Sequence, residues 1–471
     1  MFRTLKPLSI LMMLALVIAA CGGATTTPAP TSGPPSVPTT SDAPETDAPE
    51  TDAPETDAPE SEAPASDAPA SDAPPESPAA SPSPSPAPVS EEGTLTIWAD
   101  EVRAPILTEV GEAFTAEFGV PVQVHQLGFG DIRDQLQLRG PAQEGPDIII
   151  GAHDWLGQLA TNGLVAEMEL GAKADSFDEV ALQAFTYDGV LYGMPYASEA
   201  IALYYNPDLV PEPPETWDEL KEIAQQLQDD GTVEQGYVLQ TGPADPYHSY
   251  PVLSGHGGYI FGRDDAGSYD PTDVGLDSEG GLAYALELDQ MVKDGLLRPD
   301  VNYDVMMDLF LRGESAMFMT GPWALGDLRN PERNTEGIPF AVAPIPTLAD
   351  GEEPRPFVGV QGFMISAFAA NGLQAQAFLT EYIATDEGMS QLFEADPRPP
   401  TWVPLQGSID DEEVLVFAES AGNGDPMPAI PEMSAVWTSW TDALNLIFTQ
   451  SQEPEQAVRD AATDIRALIA E

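Results

Sequence analysis

The chain has 471 residues, with 78 acidic and 17 basic side chains, one cysteine and four histidines. A surface this acidic repels phosphate backbones and anionic headgroups, which sets nucleic acid aside as a partner. Cys21 alone makes no intrachain disulfide and no cysteine-built metal site. The histidines stand at no metal-ligand spacing, and no Gly-x-x-x-x-Gly-Lys-[Ser/Thr] phosphate loop occurs, so no cofactor or metal is expected.

The first 92 residues do not read as globular. Arg3 and Lys6 precede an apolar run over residues 8–20, which is too short to span a bilayer as a mature helix. Basic start, apolar middle and small residues at the end make a secretory signal over residues 1–20. It closes on Ile18-Ala19-Ala20-Cys21-Gly22, which resembles the bacterial lipobox, in which the cysteine is acylated and becomes the new N-terminus. The expectation is an extracytoplasmic protein, lipid-anchored through Cys21 to the outer face of the cell membrane. Residues 21–92 are then a tether. Pro, Ala, Ser, Thr, Asp and Glu dominate it, Glu-Thr-Asp-Ala-Pro repeats over residues 45–59, and large apolar residues are almost absent. Frequent proline and like charge keep such a chain extended, with a reach on the order of 200 Å at ~3.1 Å per residue.

From Gly93 onward, strands and helices alternate. Residues 95–98 form a short apolar strand, followed by helical spacing at Ile106, Leu107, Val110, Phe114 and Phe118. Strands are predicted over 120–127, 147–150, 202–205 and 316–319, the second of these buried on both faces. Thr216 N-caps a helix with Glu219 at the capping-box position. Amphipathic helices are predicted over 375–383 and 454–469. The alternation argues for α/β layers, and 379 residues of them for two domains.

Several apolar segments end in turns that carry an acid or a tryptophan: Trp98 before Asp100-Glu101, Ile150 before His153-Asp154-Trp155, Tyr196 before Glu199, Met319 before Gly321-Pro322-Trp323. Ligands of open α/β sheets gather outside the carboxyl ends of strands. Carboxylates accept sugar hydroxyls and flat rings cover sugar C–H faces, so Asp100, Glu101, Asp154 and Glu199 with Trp155, Trp323, Trp437 and Tyr247 suit a carbohydrate. Each has a plainer role open to it. Asp154 can N-cap a helix starting at Trp155, Glu199 can be a solvated loop acid, the tryptophans and Met427 can be core, and Arg103 can be a surface charge.

Ordered segments narrow this. Gly145-Pro146-Asp147-Ile148-Ile149 leads to Ala152-His153-Asp154 and Gly163-Leu164-Val165-Ala166-Glu167. Tyr205-Asn206-Pro207-Asp208-Leu209, Gly257-Gly258-Tyr259, Gly321-Pro322-Trp323 and Pro356-Phe357-Val358-Gly359-Val360 follow. Met427-Pro428-Ala429-Ile430-Pro431-Glu432-Met433-Ser434-Ala435 closes the series. Over nearly all of Gly93 to Glu471 the chain resembles the maltose/maltodextrin-binding proteins, extracellular solute-binding components of bacterial ABC sugar importers. The resemblance implies an α/β, two-lobe periplasmic-binding-protein-like fold (type II) with crossing hinge segments. One lobe would be 93–197 plus 363–408, the other 198–362 plus 409–471. It implies no enzyme but a monomer that holds a maltose/maltodextrin-type oligosaccharide between its lobes, closes about the hinge, and docks on ABC permease transmembrane subunits served by a separate ATPase.

The resemblance also assigns sugar-binding roles. Asp154 and Glu199 fall on family carboxylates, Asp245 on an acid followed by Pro246 and the stacking Tyr247, Trp323 and Trp437 on stacking tryptophans, and Met427 on a cleft methionine. Three positions depart from the pattern. Gly151 stands where some members carry a tryptophan, with Trp155 able to supply the ring. The loop Asp100-Glu101-Val102-Arg103 is shortened, with Arg103 taking a lysine's place. Thr441 replaces a cleft arginine. A secreted glycoside hydrolase using Asp154 and Glu199, and a stalked scaffold or adhesin, are the rival readings.

Overall fold

The computed structural model describes residues 91–264, 267–348 and 353–470. The signal, Cys21 and the tether up to residue 90 lie outside the described residues. Two sheets organise the rest, each the centre of an α/β lobe. In the first, β1 (Leu95–Ala99) runs parallel to β2 (Val122–Gln126), with Leu95 opposite Val122 and Ala99 opposite Gln126, and parallel to β3 (Ile148–Ala152), with Ile97 opposite Ile148. The apolar run of β3 is buried throughout, as expected of a parallel strand covered on both faces.

β4 (Gly193–Glu199) leaves this sheet and the chain enters the second one at β5 (Ala202–Tyr205), with only Ala200 and Ile201 between them, both fully buried. β6 (Gln235–Val238), β7 (Ser315–Thr320) and β8 (Ala341–Ala343) complete a four-stranded sheet ordered β8-β5-β7-β6. The chain then returns through β9 (Phe357–Ile365), antiparallel to both β3 and β4, and the short β10 (Asp425–Pro426) pairs with the start of β9. After the helix Asp386–Ala395 it crosses once more, to the helix Glu412–Asn423.

The three crossings lie side by side. Ser198 N–H donates to the Pro399 carbonyl at 2.8 Å, and Gly359 pairs with Glu199. One apolar cluster runs from Trp98 and Ile149 to Met317 and Trp440, and two further clusters pack on the other face of each sheet, around Ile97 and Phe363 and around Tyr204 and Phe318. On the second sheet Tyr204 stacks on Phe318, ring centres 4.7 Å apart.

Local signals explain the element ends. The helix Arg103–Phe118 stops at Gly119, whose φ of 73° and N–H bond to the Thr115 carbonyl form a left-handed cap. Thr216 caps the helix Trp217–Asp229 by accepting from Glu219 N–H at 3.2 Å. The Glu219 carboxylate reaches back to Glu215 N–H at 2.9 Å, one residue before the position a regular capping box would use. The helix expected over 375–383 is two pieces, an α-helical Gly372–Ala377 and a π-helical Phe378–Ile383. Lys173 donates to the Thr380 and Ala384 carbonyls that the wider turn leaves open.

Candidate functional site

The carboxyl ends of β1 and β3, the crossing segments and the end of β7 converge on one cleft. β3 ends in the 3₁₀ turn His153–Trp155, and the helix Leu156–Thr161 follows with no side-chain cap. Asp154 is therefore not an N-cap. It is buried, with 7% of its surface exposed. Burial pushes its carboxyl up to about 6, with Arg133 and the Trp437 indole N–H offsetting part of the rise.

Trp155 lies flat on Gly151. A Cβ there would fall 2.1 Å from the Trp155 ring, so this indole fills the space a side chain at 151 would take. Phe129 covers it, ring centres 4.7 Å apart, and only 5% of Trp155 is exposed. Trp323 repeats the device on Gly321, where a Cβ would meet its ring at 2.0 Å, but it remains half-buried.

The floor is the crossing strand β9. A Cβ on Gly359 would crowd the Glu199 side chain at 3.1 Å and the Met427 methyl at 3.4 Å, so bare backbone lets both lie over it. Glu199 is no solvated loop acid. It ends β4 buried, accepting from Gln361 Nε2 at 2.6 Å and from the guanidinium of Arg398. Arg398 in turn donates from Nε to Asp396 at 2.6 Å. Beside this network Arg103 is equally buried. Its guanidinium pairs with Asp100 and donates from Nε to the Tyr196 hydroxyl at 2.7 Å. Burial raises the Asp100 carboxyl, but the Arg103 and Arg398 charges and the Arg103 hydrogen bonds outweigh it and hold it below its ordinary range. Arg103 is thus a braced internal cation, and Glu101 in the same turn is exposed.

The opposite wall is aromatic. Tyr247 lies with its ring centre 6.2 Å from that of Trp323 and 6.3 Å from that of Phe357, and Trp437 is 6.1 Å from Phe357. Tyr250 stacks behind Phe357. Asp245 N-caps the helix Pro246–Gly255 by accepting from Tyr247 N–H at 2.9 Å, with His248 Nδ1 2.7 Å from its other oxygen. Burial alone would raise this carboxyl; His248 and the backbone N–H groups hold it down. Asp245, Trp437 and Thr441 line a pocket of about 320 Å³ with Gln240, Pro243 and Asn302.

Two buried polar atoms here have no partner, the Tyr247 hydroxyl and Gln361 Oε1. Burial first, then the charges of Glu199, Asp245 and Asp154, push the Tyr247 hydroxyl well above its usual range, with the Arg398 charge acting against them. Gln361 and His153 carry no local sequence signal, because their partners lie far along the chain, and of the partners of Arg398 only Asp396 is near in sequence. The Asp100-x-x-Arg103 spacing is the one local hint of the neighbouring ion pair.

His153 has a different task. Its Nδ1 accepts from Val360 N–H at 3.0 Å and its Nε2 is 3.1 Å from the Met427 carbonyl. A neutral ring with the proton on Nε2 satisfies both, filling the gap on the edge of β9 between β3 and β10. Burial pulls its pKa down to about 4 against the two backbone bonds. Among the described residues no group of three or more His, Cys, Asp or Glu converges as a metal site requires.

The sequence pattern of bacterial extracellular solute-binding proteins matches residues 109–414. The chain belongs to this family. Among similar proteins, the galactooligosaccharide-binding protein of Bacillus subtilis is 29% identical over 390 residues, covering 81% of this chain and 90% of that one. The maltodextrin-binding protein of the same organism is 28% identical over 400 residues, 82% and 92% of the two chains. A maltooligosaccharide ABC transporter solute-binding lipoprotein of Streptococcus pneumoniae is 27% identical over 391 residues, 81% and 90%. As an extracytoplasmic solute-binding protein the chain is no glycoside hydrolase. No helix among the described residues is long and apolar enough to cross a membrane.

Proposed function

We propose that this solute-binding protein captures an oligosaccharide of the maltose/maltodextrin class between its two lobes and delivers it to the permease subunits of an ABC importer. The lobes are 93–197 with 363–408 and 198–362 with 409–471. Asp154, Glu199 and Asp245 take ligand hydroxyls, Tyr247, Trp323 and Trp437 take the flat faces, and Met427 packs at the floor. Asp100 and Arg103 brace that floor, Trp155 stands in for a side chain at 151, and Glu101 lies at the rim. Contacts from both sides exist together only when the cleft is closed, so the ligand shifts the open–closed balance by its preference for the closed form. One observation carries the ligand class. The unpartnered Tyr247 hydroxyl and Gln361 amide oxygen lie buried beside acids and rings, and a ring of hydroxyls with apolar faces satisfies both kinds of surface at once.

Calorimetry against maltose, maltotriose, maltotetraose, trehalose and a β-linked galacto-oligosaccharide tests it. Malto-oligosaccharides should bind with micromolar or better affinity. Binding of the galacto-oligosaccharide alone overturns the glucan reading, and no heat with any sugar overturns the carbohydrate reading. The anchor is tested apart from the ligand: Cys21→Ser should be recovered in the medium instead of the membrane fraction.

A further inference from the structure

Arg398 is 2% exposed, and three segments meet on it. Its own crossing segment supplies Asp396 to its Nε at 2.6 Å. β4 supplies Glu199 to its Nη1, and Glu199 is bound on its other oxygen by Gln361 of β9. The turn after β7, part of the other sheet, supplies Trp323, whose ring centre is 5.8 Å from the guanidinium carbon. One planar cation thus touches an acid and an aromatic ring of the cleft that belong to different sheets. A guanidinium can hold two carboxylates in its plane and present its face to an indole, which an ammonium cannot do.

We propose that Arg398 is the positioning residue of the ligand site. It fixes the Glu199 carboxylate and the Trp323 ring in one mutual arrangement and thereby sets affinity for the oligosaccharide, without contacting the sugar. The proposal rests on the ligand reading above. Asp154, Tyr247, Tyr196 and Arg103 are the other titratable groups close enough for Glu199 to act on them electrostatically. Without Arg398, Glu199 keeps Gln361 as a partner but loses its nearest cation, and its charged form is disfavoured.

The test compares the parent protein, Arg398→Met, Arg398→Lys and Glu199→Gln/Arg398→Met, by maltotriose calorimetry from pH 5 to 8 and by thermal melting without sugar. Arg398→Met should bind at least tenfold more weakly at pH 7.5 and gain a decline toward low pH in addition to the one the parent shows below pH 6. That added step should vanish in the double variant. Arg398→Lys, which retains the charge and guards the test against a loss of fold in Arg398→Met, should lie between parent and Met. Parent-like affinity and pH profile in Arg398→Met, or equal losses in Lys and Met with no new pH step, would overturn the proposal.

If the parent binds no sugar, the ligand reading fails, and Arg398 is judged on the ligand-free protein. The indole N–H resonance of Trp323, assigned with Trp323→Phe, should shift in Arg398→Met and less in Arg398→Lys. An unmoved resonance overturns it.

Discussion

The two sides of the cleft are built on opposite principles. The floor, where the chain crosses between sheets, is closed: Arg103 with Asp100 and Tyr196, Arg398 with Asp396 and Glu199, and His153 with two backbone groups leave almost every polar atom spoken for. The wall around Tyr247, Trp323 and Trp437 is open, with half-buried rings and a hydroxyl that has no partner. The difference separates holding the shape of a site from offering it. A floor residue bonded only to backbone, such as His153, should show itself in stability first, a residue of the wall in affinity first.

The sharpest way to break that division is His153→Ala. It leaves Val360 N–H and the Met427 carbonyl unpaired in the interior, and should cost about 2–6 kcal/mol of stability, read by denaturant melts. The parent has its own pH signature. A histidine held at about 4 when folded and near 6.5 when unfolded contributes fully above the unfolded value. That contribution of about 3 kcal/mol is lost as pH falls from 6.5 toward 4, because the unfolded chain takes up the proton first. His153→Ala should flatten this part of the stability profile.

The wall comes next. Trp323→Ala and Trp437→Ala should each cost ~1–3 kcal/mol of sugar binding with little change in melting, since both rings are only partly buried. Unchanged dissociation constants would remove them from the site.

Asp154, next to His153 but facing the cleft, should behave as the inverse of its neighbour. Its carboxyl is raised to about 6 in the fold, so ionising it costs stability that is absent below the unfolded value near 3.9 and complete above 6. Asp154→Asn should therefore gain on the order of 1–3 kcal/mol of stability at pH 7.5. It should lose about 1 kcal/mol of affinity, because a neutral acceptor replaces a charged one. Affinity of the parent should fall as pH drops below 6, and that of the variant should not. A variant that gains neither stability nor a flatter profile would show the carboxylate to be paired already.

Much of this was legible from residues alone. The strands followed from apolar runs, the Thr216 cap from its spacing, and the placing of Asp154, Glu199 and Trp323 from strand ends that stop on an acid or an indole. The floor was not. Arg398 meets Glu199 across 199 positions, Gln361 meets Glu199 across 162, and His153 meets Val360 across 207, so no window of sequence contains both partners. Arg103 read as a surface charge or, by the resemblance, as a cation at the sugar, because nothing local announces that Tyr196 and Phe129 close over it. The π-helical turn at Phe378–Ile383 was hidden for a related reason: the cation that satisfies its carbonyls, Lys173, arrives from two hundred residues earlier.

The late arrival of β9 has a consequence for how the protein reaches its destination. The first sheet lacks its central antiparallel strand until residue 365 has been made, and β3, the partner of that strand, ends at Ala152. A nascent chain of two or three hundred residues therefore cannot close its leading half, because the pairing that would close it is non-local and slow to form. Such a chain leaves its first sheet open for most of its synthesis, which suits a protein that must cross a membrane before it folds.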